Sequence, residues 1–110
     1  MRSRSNIEKI HRLENEINQI AEMYFSAISS KNDEEVLYDS EEELSDYERF
    51  VLRIRRAFES LNKEEQLFIN NEFFYQDYPN WWKKRYSKAA FFKIRNRSMK
   101  RFKEAFDHEA

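Results

Sequence analysis

The stretch Ser87-Lys-Ala-Ala-Phe-Phe-Lys-Ile-Arg-Asn-Arg-Ser-Met-Lys-Arg-Phe-Lys103 opens on a good helix N-cap and continues without Gly or Pro. Phe91, Ile94, Ser98, Met99, Phe102, Ala105 and Phe106 recur at three- and four-residue spacing, so a helix from Lys88 to about Asp107 buries one face. At about 100° per residue, Ala89, Phe92, Lys93, Asn96, Arg97 and Lys100 point away from that face. The outer surface of this helix is polar and cationic.

The segments before it read as helices too. Ile10, Leu13, Ile17, Ile20, Tyr24 and Ala27 alternate spacings of three and four, which predicts a first helix over residues 5–29 with one apolar seam. A polar, acid-rich loop follows at about 30–42. Ser40 with Glu43 has capping-box spacing, and Leu44, Tyr47, Val51, Ile54, Phe58 and Leu61 repeat the seam, predicting a second helix over about 41–60. Asn62 with Glu65 starts a third helix to about residue 75, and Pro79 suits the first turn of a short helix through about Lys84. The expected fold is all-α in a single domain over 1–110. An antiparallel helical hairpin occupies 5–60, and a helix-turn-helix with a long final helix occupies 61–107. The hairpin is the preferred use of the two seams, and a homodimer through the N-terminal helices or a surface for docking on RNA polymerase is the other.

Composition agrees with this class. The 110 residues contain no Gly, no Cys and one Pro, which excludes disulfide frameworks, Cys-ligated zinc and Gly-rich phosphate loops. Ten Phe, six Tyr and two Trp can build a compact core despite a charged fraction of 37% and a mean hydropathy of −1.02. No run of 18 apolar residues exists and the first residues lead into polar sequence, which predicts a cytoplasmic protein with no membrane contact. His11 and His108 stand at opposite ends without partners at ligand spacing, and no nucleophile-base set can be assembled, so no metal, no cofactor and no enzymatic activity are expected.

The net charge of −1 conceals a segregation. Asn32 to Glu48 holds nine acids and no base. Trp81 to Lys103 holds Lys83, Lys84, Arg85, Lys88, Lys93, Arg95, Arg97, Lys100, Arg101 and Lys103 and no acid. Such a basic segment suits phosphates or an acidic protein surface. A short helix, a turn and a longer cationic helix are the parts with which a helix-turn-helix enters the DNA major groove. Lys84 and Arg85 in the turn, with Lys88, Lys93, Arg97 and Lys100, can neutralise phosphates, while Asn96 and Arg97 have the geometry to read adenine or guanine.

Leu61-Asn-Lys-Glu-Glu-Gln-Leu-Phe-Ile69, followed by Tyr86-Ser-Lys-Ala-Ala-Phe-Phe-Lys-Ile-Arg-Asn-Arg-Ser-Met-Lys-Arg-Phe102, resembles the region-4 module of bacterial sigma factors. The resemblance covers about residues 54–106 and is nearest the ArpU and RinA types of phage late-gene regulators and a small mycoplasmal family. It implies a DNA-binding transcriptional regulator. Ser87 then matches the cap, Phe91 the buried anchor, and Lys88, Ala89, Phe92, Lys93 and Asn96 the groove-side positions. Glu64 and Glu65 match the acidic opening of the preceding helix. Two features depart from the pattern: only twelve residues separate Phe74 from Ser87, and no Gly marks the turn, which would put a strained conformation on Arg85 or Tyr86. The alternative is a protein-interaction module, an adaptor or inhibitor of RNA polymerase or another host protein, that keeps the fold without specific DNA binding.

On this reading Lys93→Glu or Arg97→Glu weakens DNA binding at unchanged melting temperature, whereas Phe91→Ala unfolds the module. The acidic run has a reading of its own as an internal competitor for DNA. In that case deletion of residues 32–43 raises DNA affinity at low salt, and an unchanged affinity in a titration rules the competition out.

Overall fold

The computed structural model describes residues 4–29 and 45–109. Its regular elements are all helices, with no strand among the described residues. Helix α1 spans Arg4–Ser29, α2 Asp46–Glu59, α3 Lys63–Ile69 and α4 Lys88–His108, and a π-helical turn at Asn70–Phe74 extends α3. One apolar core joins all of them: Ile17 and Ile20 of α1, Ile54 and Ala57 of α2, Ile69 and Phe73 around the π turn, and Met99, Phe102 and Phe106 of α4. The α1 seam falls where its spacing places it, with Ile17, Ile20 and Ala27 buried and Ile10, Leu13 and Tyr24 packed at the margin. Because these residues are covered within one chain, a dimer through the same seams would have to open this core.

Helix α2 starts later than the seam suggests. Ser45, in extended conformation, accepts from the Glu48 amide through its Oγ at 3.3 Å, and the Glu48 carboxylate accepts from the Ser45 amide at 3.4 Å. The helix therefore begins at Asp46 rather than near residue 41, and the acidic loop, Ser40, Glu43 and Leu44 lie outside the described residues. Tyr47, expected on the seam, sits in the exposed first turn at 62% exposure.

Helix α3 begins as expected. Asn62 Oδ1 accepts from the Glu65 amide at 2.8 Å, and Glu65 Oε1 accepts from the Asn62 amide at 3.1 Å, which satisfies two donors that a bare helix start leaves open. The predicted helix to residue 75 gives way after Ile69 to the π turn, closed by the Tyr75 amide donating to the Asn70 carbonyl at 2.7 Å. Phe74 then meets Tyr24 and Phe102 edge-on, while Phe73 is buried.

The short helix predicted for 79–84 is absent. A run of turns replaces it, with Trp81 donating to Tyr78, Lys83 to Asn80, and both Arg85 and Tyr86 to the Trp82 carbonyl. No described residue has positive φ, so the turn into α4 carries none of the strain expected at Arg85 or Tyr86. Aromatic packing directs the chain instead. Phe68, fully buried, meets Trp81 at 4.9 Å and Tyr86 at 5.2 Å edge-on, and Trp82 stacks on Phe91 at 4.2 Å. Phe68→Ala should lower stability by about 3–5 kcal/mol and shift the Trp emission to the red, read by urea unfolding followed through fluorescence.

Candidate nucleic-acid interface

Helix α4 is set by its first turn. Ser87 Oγ accepts from the Ala90 amide at 3.1 Å and its carbonyl from the Phe91 amide at 2.9 Å, so the Ser87 hydroxyl is occupied by capping. Phe91 enters the aromatic cluster, and that fixes which residues face outward. Lys84, Arg85, Lys88, Ala89 and Lys93 are exposed, and Phe92 is 42% exposed beside Phe91. Asn96 is half-buried, and Arg97 and Lys100 are exposed. On the opposite face Phe91, Ser98, Met99, Phe102 and Phe106 are buried, with the Ser98 hydroxyl satisfied by the Ile94 carbonyl at 2.7 Å.

The segment that lacks acids in sequence receives them from other helices. Arg95, 14% exposed, donates from Nε to Glu72 at 2.7 Å and from Nη1 to Glu14 at 2.8 Å, and its guanidinium lies 5.0 Å from the Phe73 ring. Glu72 also accepts from Trp81 Nε1 at 2.9 Å. Lys103 contacts Asp107 at 2.7 Å and Glu16 at 3.4 Å, and its ammonium pKa is raised chiefly by the Asp107 hydrogen bond.

Glu65 is the one fully buried acid among the described residues, and its Oε2 has no hydrogen-bond partner. Arg97 Nε at 3.3 Å and Arg101 Nε at 3.4 Å supply charge compensation without good hydrogen-bond geometry. Arg97 also donates to Glu64 at 2.9 Å, and Glu64 in turn accepts from the Tyr86 hydroxyl at 3.2 Å. The Tyr86 pKa is raised, first by burial and then by that bond.

The ten bases therefore divide into two groups. Arg95, Arg97, Arg101 and Lys103 hold the fold together. Lys83, Lys84, Arg85, Lys88, Lys93 and Lys100 make no ion pair among the described residues, and they cluster in the turn and along the outer face of α4. Sequence reasoning missed this division because each acid partner lies on another element or beyond the basic run.

It also missed a contribution from α1. A groove of about 680 Å³ runs between α1 and α4, lined on one side by Asn6, Lys9, Ile10, Arg12, Leu13 and Glu16 and on the other by Lys93, Asn96, Arg97 and Lys100. Periodicity marks the buried face of α1, and nothing in it shows which polar face the neighbouring helix leaves open.

Among the described residues no group of three His, Asp or Glu side chains could hold a metal ion, and no helix is long and apolar enough to cross a membrane. No protein-family model, curated protein or solved structure matches the chain.

Arg97→Glu should now act on the fold as well as on any ligand, because it sets a third carboxylate beside Glu64 and buried Glu65. A loss of about 1–3 kcal/mol is expected in thermal or urea unfolding. Lys93→Glu should stay within about 0.5 kcal/mol of wild type, which makes it the cleaner probe of binding.

Proposed function

We propose that this chain is a DNA-binding transcriptional regulator in which α3, the turns after it and α4 work as a helix-turn-helix of the sigma region-4 kind. In this reading α4 is the recognition helix, and α1 and α2 form an antiparallel hairpin that supports it. The observation that carries the proposal is the grouping of the unpaired cations: Lys84 and Arg85 precede α4, and Lys88, Lys93 and Lys100 run along its outer face.

Each part has a role in DNA recognition. The exposed lysines and Arg85 neutralise phosphates. Ala89 and Phe92, exposed near the N-terminal end of α4, can meet thymine methyl groups, and Asn96 can pair with an adenine edge. No acid stands in the first turn of α4, so its free amides also favour a phosphate. Arg97 contributes less than its position in sequence suggests, since Glu64 and Glu65 already hold it.

Binding through about five phosphates should give a log-log salt slope near −4.5. Fluorescence anisotropy against duplex DNA at several salt concentrations tests this, with Lys88→Glu/Lys93→Glu as the control. Steep salt dependence that the double variant loses supports the proposal. A folded wild-type protein that fails to bind at low salt ends it and favours the adaptor reading, for which capture of RNA polymerase is the next assay.

A further inference from the structure

We infer that α1 is a second DNA-contacting element, in which Lys9 and Arg12 face Lys93 and Lys100 across the groove and together seat one strand of the duplex phosphate backbone. The inference rests on the DNA-binding reading above and adds to it a helix for which neither the sequence nor any resemblance suggested a contact with nucleic acid.

The charges in the groove are unbalanced for a structural reason. Glu14 is directed to Arg95 at 2.8 Å, and Glu16, the one acid that lines the groove, is directed to Lys103 at 3.4 Å. Arg97 is turned to Glu64 and Glu65. Lys9, Arg12, Lys93 and Lys100 are left as like charges on two packed helices, with no ion pair among the described residues. Like charges brought together by packing disfavour the fold, so folding alone gives no reason for this arrangement. An anion lying between them removes the repulsion. Ile10 and Leu13, half-buried among the groove residues and packed against the core, add apolar surface that strengthens the field of the cations.

The dimensions suit a polyanion better than a single small ion. Lys93 and Lys100 are seven residues apart, about 10 Å along α4. That is longer than a single small anion and long enough to reach more than one phosphate of the same strand. Lys9 and Arg12, three residues apart, share one face of α1 and meet the same strand from its other side. The recognition helix would read bases while α1 straddles the adjoining backbone, a division of labour between neighbouring helices that suits groove binding.

The test uses the full chain and a duplex of about two helical turns. Lys9→Ala/Arg12→Ala should lower the magnitude of the salt slope by about 2 and weaken binding roughly tenfold or more at low salt. Its melting temperature should stay level or rise, since repulsion is relieved. Lys100→Gln, on the opposite wall, should lower the slope by about 1. An unchanged slope for Lys9→Ala/Arg12→Ala, with binding still lost in Lys88→Glu/Lys93→Glu, would overturn the role of α1 and leave the recognition role of α4 standing. Absence of wild-type binding would overturn both. Competition by polyglutamate as strong as by duplex of equal charge would assign the groove to an acidic protein and overturn the inference.

Discussion

Arg95 ties three elements of the structure together. From α4 it reaches Glu14 on α1 and Glu72 in the π turn, lies near the face of Phe73, and through Glu72 is linked to the Trp81 indole. At 14% exposure its charge is largely out of water, and so is that of Glu72 at 16%. A pair of this kind adds little net stability over apolar packing, but losing one partner leaves a buried charge uncompensated. Its effect is to fix how α1, the π turn and α4 are placed together. Apolar contact alone would tolerate neighbouring registers, whereas a guanidinium fork that must meet two carboxylates accepts very few.

The aromatic cluster solves a second problem, created by the absence of glycine. Without a residue that enters the left-handed region at low cost, the chain between Tyr75 and Ser87 must turn with ordinary backbone angles. It does so through successive short turns, each closed by a backbone hydrogen bond. Phe68, Trp81, Trp82, Tyr86 and Phe91 then hold this irregular segment against α3 and α4 by ring contacts of 4.2 to 6.4 Å. The position of the outer face of α4 follows from that packing.

Charge is divided along the same lines. On α4 the arginines pair inward or sideways: Arg95 forks to Glu14 and Glu72, Arg97 meets Glu64, and Arg97 and Arg101 flank Glu65. The lysines at 88, 93 and 100 are left to solvent, with Lys103 the exception, held by Glu16 and Asp107. A planar guanidinium suits partly buried pairs, and a strongly hydrated ammonium suits an open surface or a phosphate.

Helix content, the buried faces of α1 and α4, the Asn62–Glu65 capping box and the Ser87 cap were all legible in the sequence, because each depends on residues within one or two turns of one another. The start of α2 was not. Ser40 with Glu43 and Ser45 with Glu48 have identical spacing, and local pattern cannot rank them. At 79–84 Pro79 and two tryptophans fit the first turn of a helix, while the ring packing that selects turns instead involves Phe68 and Phe91. Which bases remain available was decided by tertiary structure alone. Arg95 meets a carboxylate 81 residues away, and Arg97 one 33 residues away. Local pattern is enough to make this protein helical and to make one of its helices cationic. Only the folded chain decided which of those cations are neutralised and that α1 brings two more beside them, because periodicity is a local property and electrostatic pairing is not.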